Sequence, residues 1–133
     1  MTSGVDPNYM DFLYAQIIDA LQEASANLQS AEIRLGKAAL TEADRVSRNA
    51  REPNLIDREL GVIRVYNLEG KTIATVVNFT AHPETMWSDN LLLTAGYPGV
   101  VYRECDAQLG GVTLFINGAL GGMVTVDNVD ENG

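Results

Sequence analysis

His82 is the only histidine among the 133 residues. It stands where the apolar run of VVNFTAHPETMW gives way to proline. A neutral imidazole in that place has three uses. It can ligate a metal through one nitrogen while a carbonyl or carboxylate orients the other. It can act as a general base, or it can simply bond its own loop. Glu84 completes a His-x-Glu pair, the start of a zinc deaminase signature, but that chemistry also needs a Pro-Cys-x-x-Cys run. Cys105 is the single cysteine, so that route is closed, as are internal disulfides and Cys-rich zinc sites.

The second candidate is NGALGGMVT, Asn117 to Thr125. Small residues at a strand end let backbone N–H groups approach a ligand, as an oxyanion hole or an anion nest requires. Gly118, Gly121 and Gly122 are the candidates for that role here. The competing reading is a tight turn that needs positive φ at Gly118 and Gly121. No Gly-Lys-Ser/Thr follows, so the loop is not a phosphate-binding P-loop. Thr125 offers a hydroxyl, yet a threonine nucleophile needs an adjacent base and none is near in sequence. Trp87 and Tyr97 flank the histidine and either line a pocket or pack in the core. Asp127, Asp130 and Glu131 read as a solvated acidic tail.

These residues need elements to position them. Asp6-Pro7 is a helix start, with aspartate capping and proline at the first helical position. Met10, Leu13, Ile17, Leu21, Ala24 and Leu28 then repeat every three or four residues, predicting an amphipathic helix to about Leu28. AEIRLGKA alternates as a half-exposed strand. Thr41 to Arg58 is polar and without period, a long surface loop. GVIRVYNLEGKTIATVVNFT reads as a β-hairpin turning at Asn67 to Lys71, with Gly70 at positive φ. Its second arm is apolar enough to be covered on both faces. Pro98 opens a second helix carried by Val101, Cys105 and Leu109, and Gly110-Gly111 ends it. VTLFIN is a further short strand.

This order predicts an α/β fold, a mixed β-sheet with two main helices packed on it. If the strands before the histidine loop and the glycine loop run parallel and near each other, both loops open on one edge, where α/β sheets gather their sites. The length is that of one domain. An apolar share of 46% with 20% charged residues fits a globular chain and not a disordered one. The net charge of −9 repels phosphate backbones and anionic lipid, so no nucleic-acid partner is expected. No apolar run approaches a membrane span, and MTSGVDPNY lacks the basic and apolar regions of a signal peptide.

Taken together, VVNFTAHPETM, LLLTAGYPG and LFINGALGGM, in that order and at those distances, resemble the neutral/alkaline non-lysosomal ceramidase family, in particular its bacterial hydrolase relatives of unassigned substrate. SGVDPNYMDFLYAQIIDALQEASANLQSAEIRLG, the Asn49-x-Arg51 pair and the Asp57 to Val65 segment extend the likeness over essentially the whole chain. The resemblance implies a zinc amidase that cleaves the N-acyl bond of ceramide or a related lipid or small-molecule amide. It makes His82 a zinc ligand and sets the glycine loop beside the reacting carbonyl. It also implies a parent protein that is often secreted or periplasmic.

The sequence departs from that family in the glycine loop. Where ceramidases carry an aspartate and a serine, Gly122 and Val124 stand, with Thr125 one place later as the candidate catalytic hydroxyl. Gly96 likewise stands where relatives often have aspartate. The family's other zinc-binding histidine lies in a His-x-His stretch before Met1, and its glutamate and tyrosine ligands lie beyond Gly133. The expectation is therefore an internal piece, residues 1–133, of a larger α/β catalytic domain, binding zinc weakly and turning over little by itself. Two alternatives stand beside it. One is a non-enzymatic, self-associating α/β module, a homo-oligomer that keeps the scaffold without a working site. The other is a small hydrolase whose site completes itself between subunits, with Glu84 or Asp89 joining His82.

Overall fold

The computed structural model describes residues 4–41, 47–86 and 90–126. Trp87, Asp89, Asp127, Asp130 and Glu131 lie outside these residues, and only the backbone of Thr125 is described. The chain divides into two compact units, Met1–Ser30 and Ala31–Gly133.

The first unit is helix α1, Pro7–Ala26. The Asp6 carboxylate accepts the Asn8 N–H at 2.9 Å and Pro7 occupies the first turn, where its missing N–H costs nothing. Of its stripe, Met10 and Leu13 are half-buried while Ile17, Leu21 and Leu28 are exposed.

The second unit is built on a four-stranded sheet of order β1-β3-β4-β5. Strands β1 (Ala31–Ala39), β3 (Glu59–Asn67) and β4 (Thr72–Phe79) form an antiparallel meander. Valine, isoleucine and threonine dominate β4 and form the centre of β3 as Val62, Ile63 and Val65, side chains that fit a pleated surface and lose χ1 freedom in a helix. The β3–β4 turn is the expected one. The Asn67 side chain accepts the N–H groups of Glu69 and Lys71, and Gly70 takes φ 82°.

Helix α2 (Gly96–Leu109) then crosses over, so β5 (Val112–Asn117) lies parallel to β4, as a helical connection allows. The helix begins at Gly96, two residues before Pro98, and Gly110 and Gly111 end it, both at positive φ. It lies against β5, with Tyr97 meeting Phe115 edge to face at 5.4 Å. The fold class is thus α/β, a mixed sheet accompanied by two main helices.

Register decides which side of the sheet is core. Thr75, Val77, Phe79 and Thr113 share the Phe115 face and are buried. On the opposite face the pairings Leu35↔Ile63, Ile63↔Val76 and Val76↔Leu114 run an apolar row across all four strands. Of that row Leu35, Ile63 and Leu114 are exposed. Strand β4 is therefore well covered on one face only among the described residues, and not on both as its composition predicts.

A second, two-stranded sheet joins β2 (Arg48–Asn49) to β6 (Met123–Thr125). Both segments read as loop in sequence. Two or three residues carry no alternation to recognise, and their partners lie some 75 positions apart, so only the tertiary fold brings them into register.

Candidate functional site

Strands β4 and β5 end side by side, with Phe79 opposite Asn117. The histidine segment and the glycine loop therefore leave the same edge of the sheet as neighbours. Two backbone bonds tie them: Gly118 N–H donates to Phe79 O at 3.0 Å, and His82 N–H donates to Met123 O at 3.2 Å.

Other parts of the chain hold the tip between Phe79 and His82. The Thr80 hydroxyl donates to the Asp57 carboxylate at 2.9 Å. Thr80 O accepts from the Ser47 hydroxyl at 3.3 Å, and Ala81 O accepts from the Tyr97 hydroxyl at 2.7 Å. Thr80 and Ala81 are buried, while the His82 side chain keeps 33% of its surface in solvent. The imidazole is thus neither packed away nor loose; it emerges from a clamped base. The Glu84 carboxylate lies beside the ring, its Oε1 3.9 Å from Nδ1. Burial pushes the Tyr97 phenol up to about 12, so it remains a hydrogen-bond donor at ordinary pH.

Two glycines owe their identity to this tip. A Cβ on Gly118 would overlap the Thr80 hydroxyl, and one on Gly96, already at φ 57°, would lie 2.9 Å from Pro83 O. Neither Gly118 nor Gly121 is among the positive-φ glycines, so the tight-turn requirement expected for them is not what the backbone imposes. Gly118 is small because Thr80 approaches it, and its N–H is already engaged. Gly121 meets nothing within 4 Å.

Asn49 organises the other wall. Its side-chain oxygen accepts the N–H groups of Arg51 and Glu52, both at 3.0 Å, and its amide donates to Leu55 O at 2.7 Å. A Cβ on Gly122 would stand 3.0 Å from that side chain. Asp57 N–H donates to the Met123 thioether at 3.3 Å, closing the wall onto the glycine loop. Between them opens a groove of about 430 Å³, lined in part by Leu55, Ile56, Ala119, Gly122 and Met123. Sequence reasoning missed the parts played by Asn49, Asp57 and Thr80. The signals were the likeness at Asn49-x-Arg51 and from Asp57 to Val65, which assigned these residues no role, and two turn-forming types within a polar stretch.

His82, Gly118, Gly121 and Gly122 are thus gathered at one edge, as is the backbone of Thr125, opposite Arg48 in the small sheet. Among the described residues no group of three His, Cys, Asp or Glu side chains converges as a metal cluster. A catalytic zinc takes three protein ligands, so the donors described here do not make a complete zinc site.

No protein-family model matches the chain, and no curated protein matches it. Solved structures do. A ceramidase complexed with C2 is similar at 20% identity and a TM-score of 0.65, over 78% of this chain and 18% of that one. The neutral ceramidase from Pseudomonas aeruginosa is similar at 20% identity and a TM-score of 0.67, over 88% of this chain and 21% of that one. This chain therefore has a ceramidase-like fold and spans about a fifth of the length of those ceramidases.

Proposed function

We propose that this chain is the part of a zinc-dependent amide hydrolase that presents one imidazole and a glycine-rich loop to an N-acyl lipid, ceramide or a related amide. The observation that carries the reading is the His82 N–H to Met123 O bond, which joins the two loops at the mouth of a ceramidase-like sheet. In this reading His82 is the chain's one zinc ligand, and the remaining ligands come from polypeptide outside these 133 residues. Zinc would act as Lewis acid on the amide carbonyl. Because Gly118 N–H is spent on Phe79 O, the loop's donors toward an oxyanion are assigned to Gly121 and Gly122. Thr125 is the candidate hydroxyl.

The test is hydrolysis of a fluorescent ceramide by the complete reading frame that contains this segment. Fatty-acid release that His82→Ala abolishes is the expected result. Equal turnover by the variant overturns the ligand role, and no hydrolysis of any N-acyl lipid overturns the function. The 133-residue chain alone is expected to bind zinc weakly and to turn over negligibly.

The exposed apolar residues of the sheet favour self-association as a second reading. Ile33, Leu35, Val112, Leu114 and Ile116 are exposed on one side of β1 and β5, an apolar surface of the kind that marks an interface. A second copy would cover it, and light scattering should report a dimer that Leu114→Glu dissociates. A monomer at high concentration would overturn this reading.

A further inference from the structure

The tip from Phe79 to His82 receives more support than the end of a strand requires. The backbone groups of a buried tip must be paired, and the partners they find show what holds it. Here Phe79 O, Thr80 O, Ala81 O and His82 N–H are all bonded, to partners in three segments: Gly118 and Met123 of the glycine loop, Ser47, and Tyr97. The Thr80 side chain adds a fifth attachment, to Asp57. Tyr97 is itself braced, its ring edge-on to Phe115 in β5 and its backbone in the first turn of α2. Asp57 is fixed in turn by Glu59 N–H on Oδ1. These supports converge on the one residue of the tip whose side chain reaches solvent. Functional side chains must be held to within roughly 0.5 Å of their working geometry, which takes a second layer of this kind.

From this we infer that the Tyr97 hydroxyl and the Thr80–Asp57 pair are positioning residues for His82. They act through the backbone of Ala81 and Thr80 and touch neither substrate nor metal. The inference rests on His82 being the imidazole of the site, but it is a statement about placement and is tested without turnover.

The experiment is amide hydrogen exchange by NMR on the whole chain, whose single imidazole gives one set of ring signals. Tyr97→Phe keeps the ring against Phe115 and removes only the donor; Thr80→Val removes the other hydroxyl at similar volume. In each, the His82 amide should exchange roughly tenfold faster, the local opening expected for one lost hydrogen bond. The central amides of β3 and β4 should keep their protection, and the His82 ring signals should shift or broaden. Thr80→Ser restores the donor and should return the amide to wild-type exchange. Unchanged His82 protection in both variants overturns the inference, as does an equal loss across β3, β4 and His82, which a purely structural role produces. Since no zinc or lipid enters the measurement, its failure is separate from failure of ceramide hydrolysis.

Discussion

Gly118→Ala is the sharpest test of how the two loops are joined. The new Cβ would overlap the Thr80 hydroxyl and lie 3.3 Å from Thr80 Cβ and 3.5 Å from its Cα. Thr80 is 2% exposed and cannot swing into solvent. Relief requires its hydroxyl to leave Asp57, a bond to a carboxylate worth about 1.5–3 kcal/mol. Residual crowding of a packed site adds about 1–3 kcal/mol. The expected loss is therefore about 2.5–6 kcal/mol, a large part of the roughly 5–15 kcal/mol that holds a domain of this size. Urea unfolding followed by circular dichroism measures it. In a Thr80→Ala background the hydroxyl is already gone, so the same Gly118→Ala change should cost about 2 kcal/mol less, a coupling that a double-mutant cycle isolates. Gly121→Ala is the control. It meets nothing within 4 Å, and its cost should stay within about 0.5 kcal/mol. Equal costs for Gly118→Ala in the two backgrounds would refute the close-approach reasoning.

Other outcomes follow from the same geometry. Asn49→Ala leaves the N–H groups of Arg51 and Glu52 without their acceptor and Leu55 O without its donor, and should cost about 2 kcal/mol or more in urea unfolding. Tyr97 should titrate late, one phenolate component appearing near pH 12 in the ultraviolet absorbance and vanishing in Tyr97→Phe. Its folded value lies above the ordinary 10.0, so its contribution to stability is fully present below pH 10 and is lost as pH rises toward 12. Glu32 is the opposite case, held below its usual value by hydrogen bonding and attraction from Arg34. Whatever it contributes is present above the ordinary carboxylate value and is lost as pH falls through the depressed one. Because the pair lies in solvent at the surface, Arg34→Met should cancel the Glu32 shift in a carboxylate titration without moving the unfolding midpoint appreciably.

The elements themselves were legible. Asp6-Pro7 and a stripe at helical spacing announced α1, and the β3–β4 hairpin was marked by asparagine and glycine between two runs of β-branched residues. The glycine pair closed α2 as expected. These are local signals, written within a few residues of one another. The candidate imidazole was visible by its solitude, and the glycine loop by its composition. What held them was not. Ser47, Asn49, Asp57 and Thr80 look like ordinary polar residues, and β2 and β6 are too short to show a period.

The sequence by itself thus determined the helices, the main strands, their turns and the pair of segments worth watching, because chain stiffness, capping and side-chain alternation act over a handful of neighbours. Only the tertiary structure decided that β4 and β5 lie parallel and adjacent, that the Phe115 face of the sheet is buried while Leu35, Ile63 and Leu114 opposite are exposed, and that Gly118 is small for the sake of Thr80. It alone brought Tyr97 beneath Ala81 and Asp57 beneath Thr80. Those facts depend on contacts between residues far apart in the chain. Such contacts form only when the sheet has closed, and no local pattern records them.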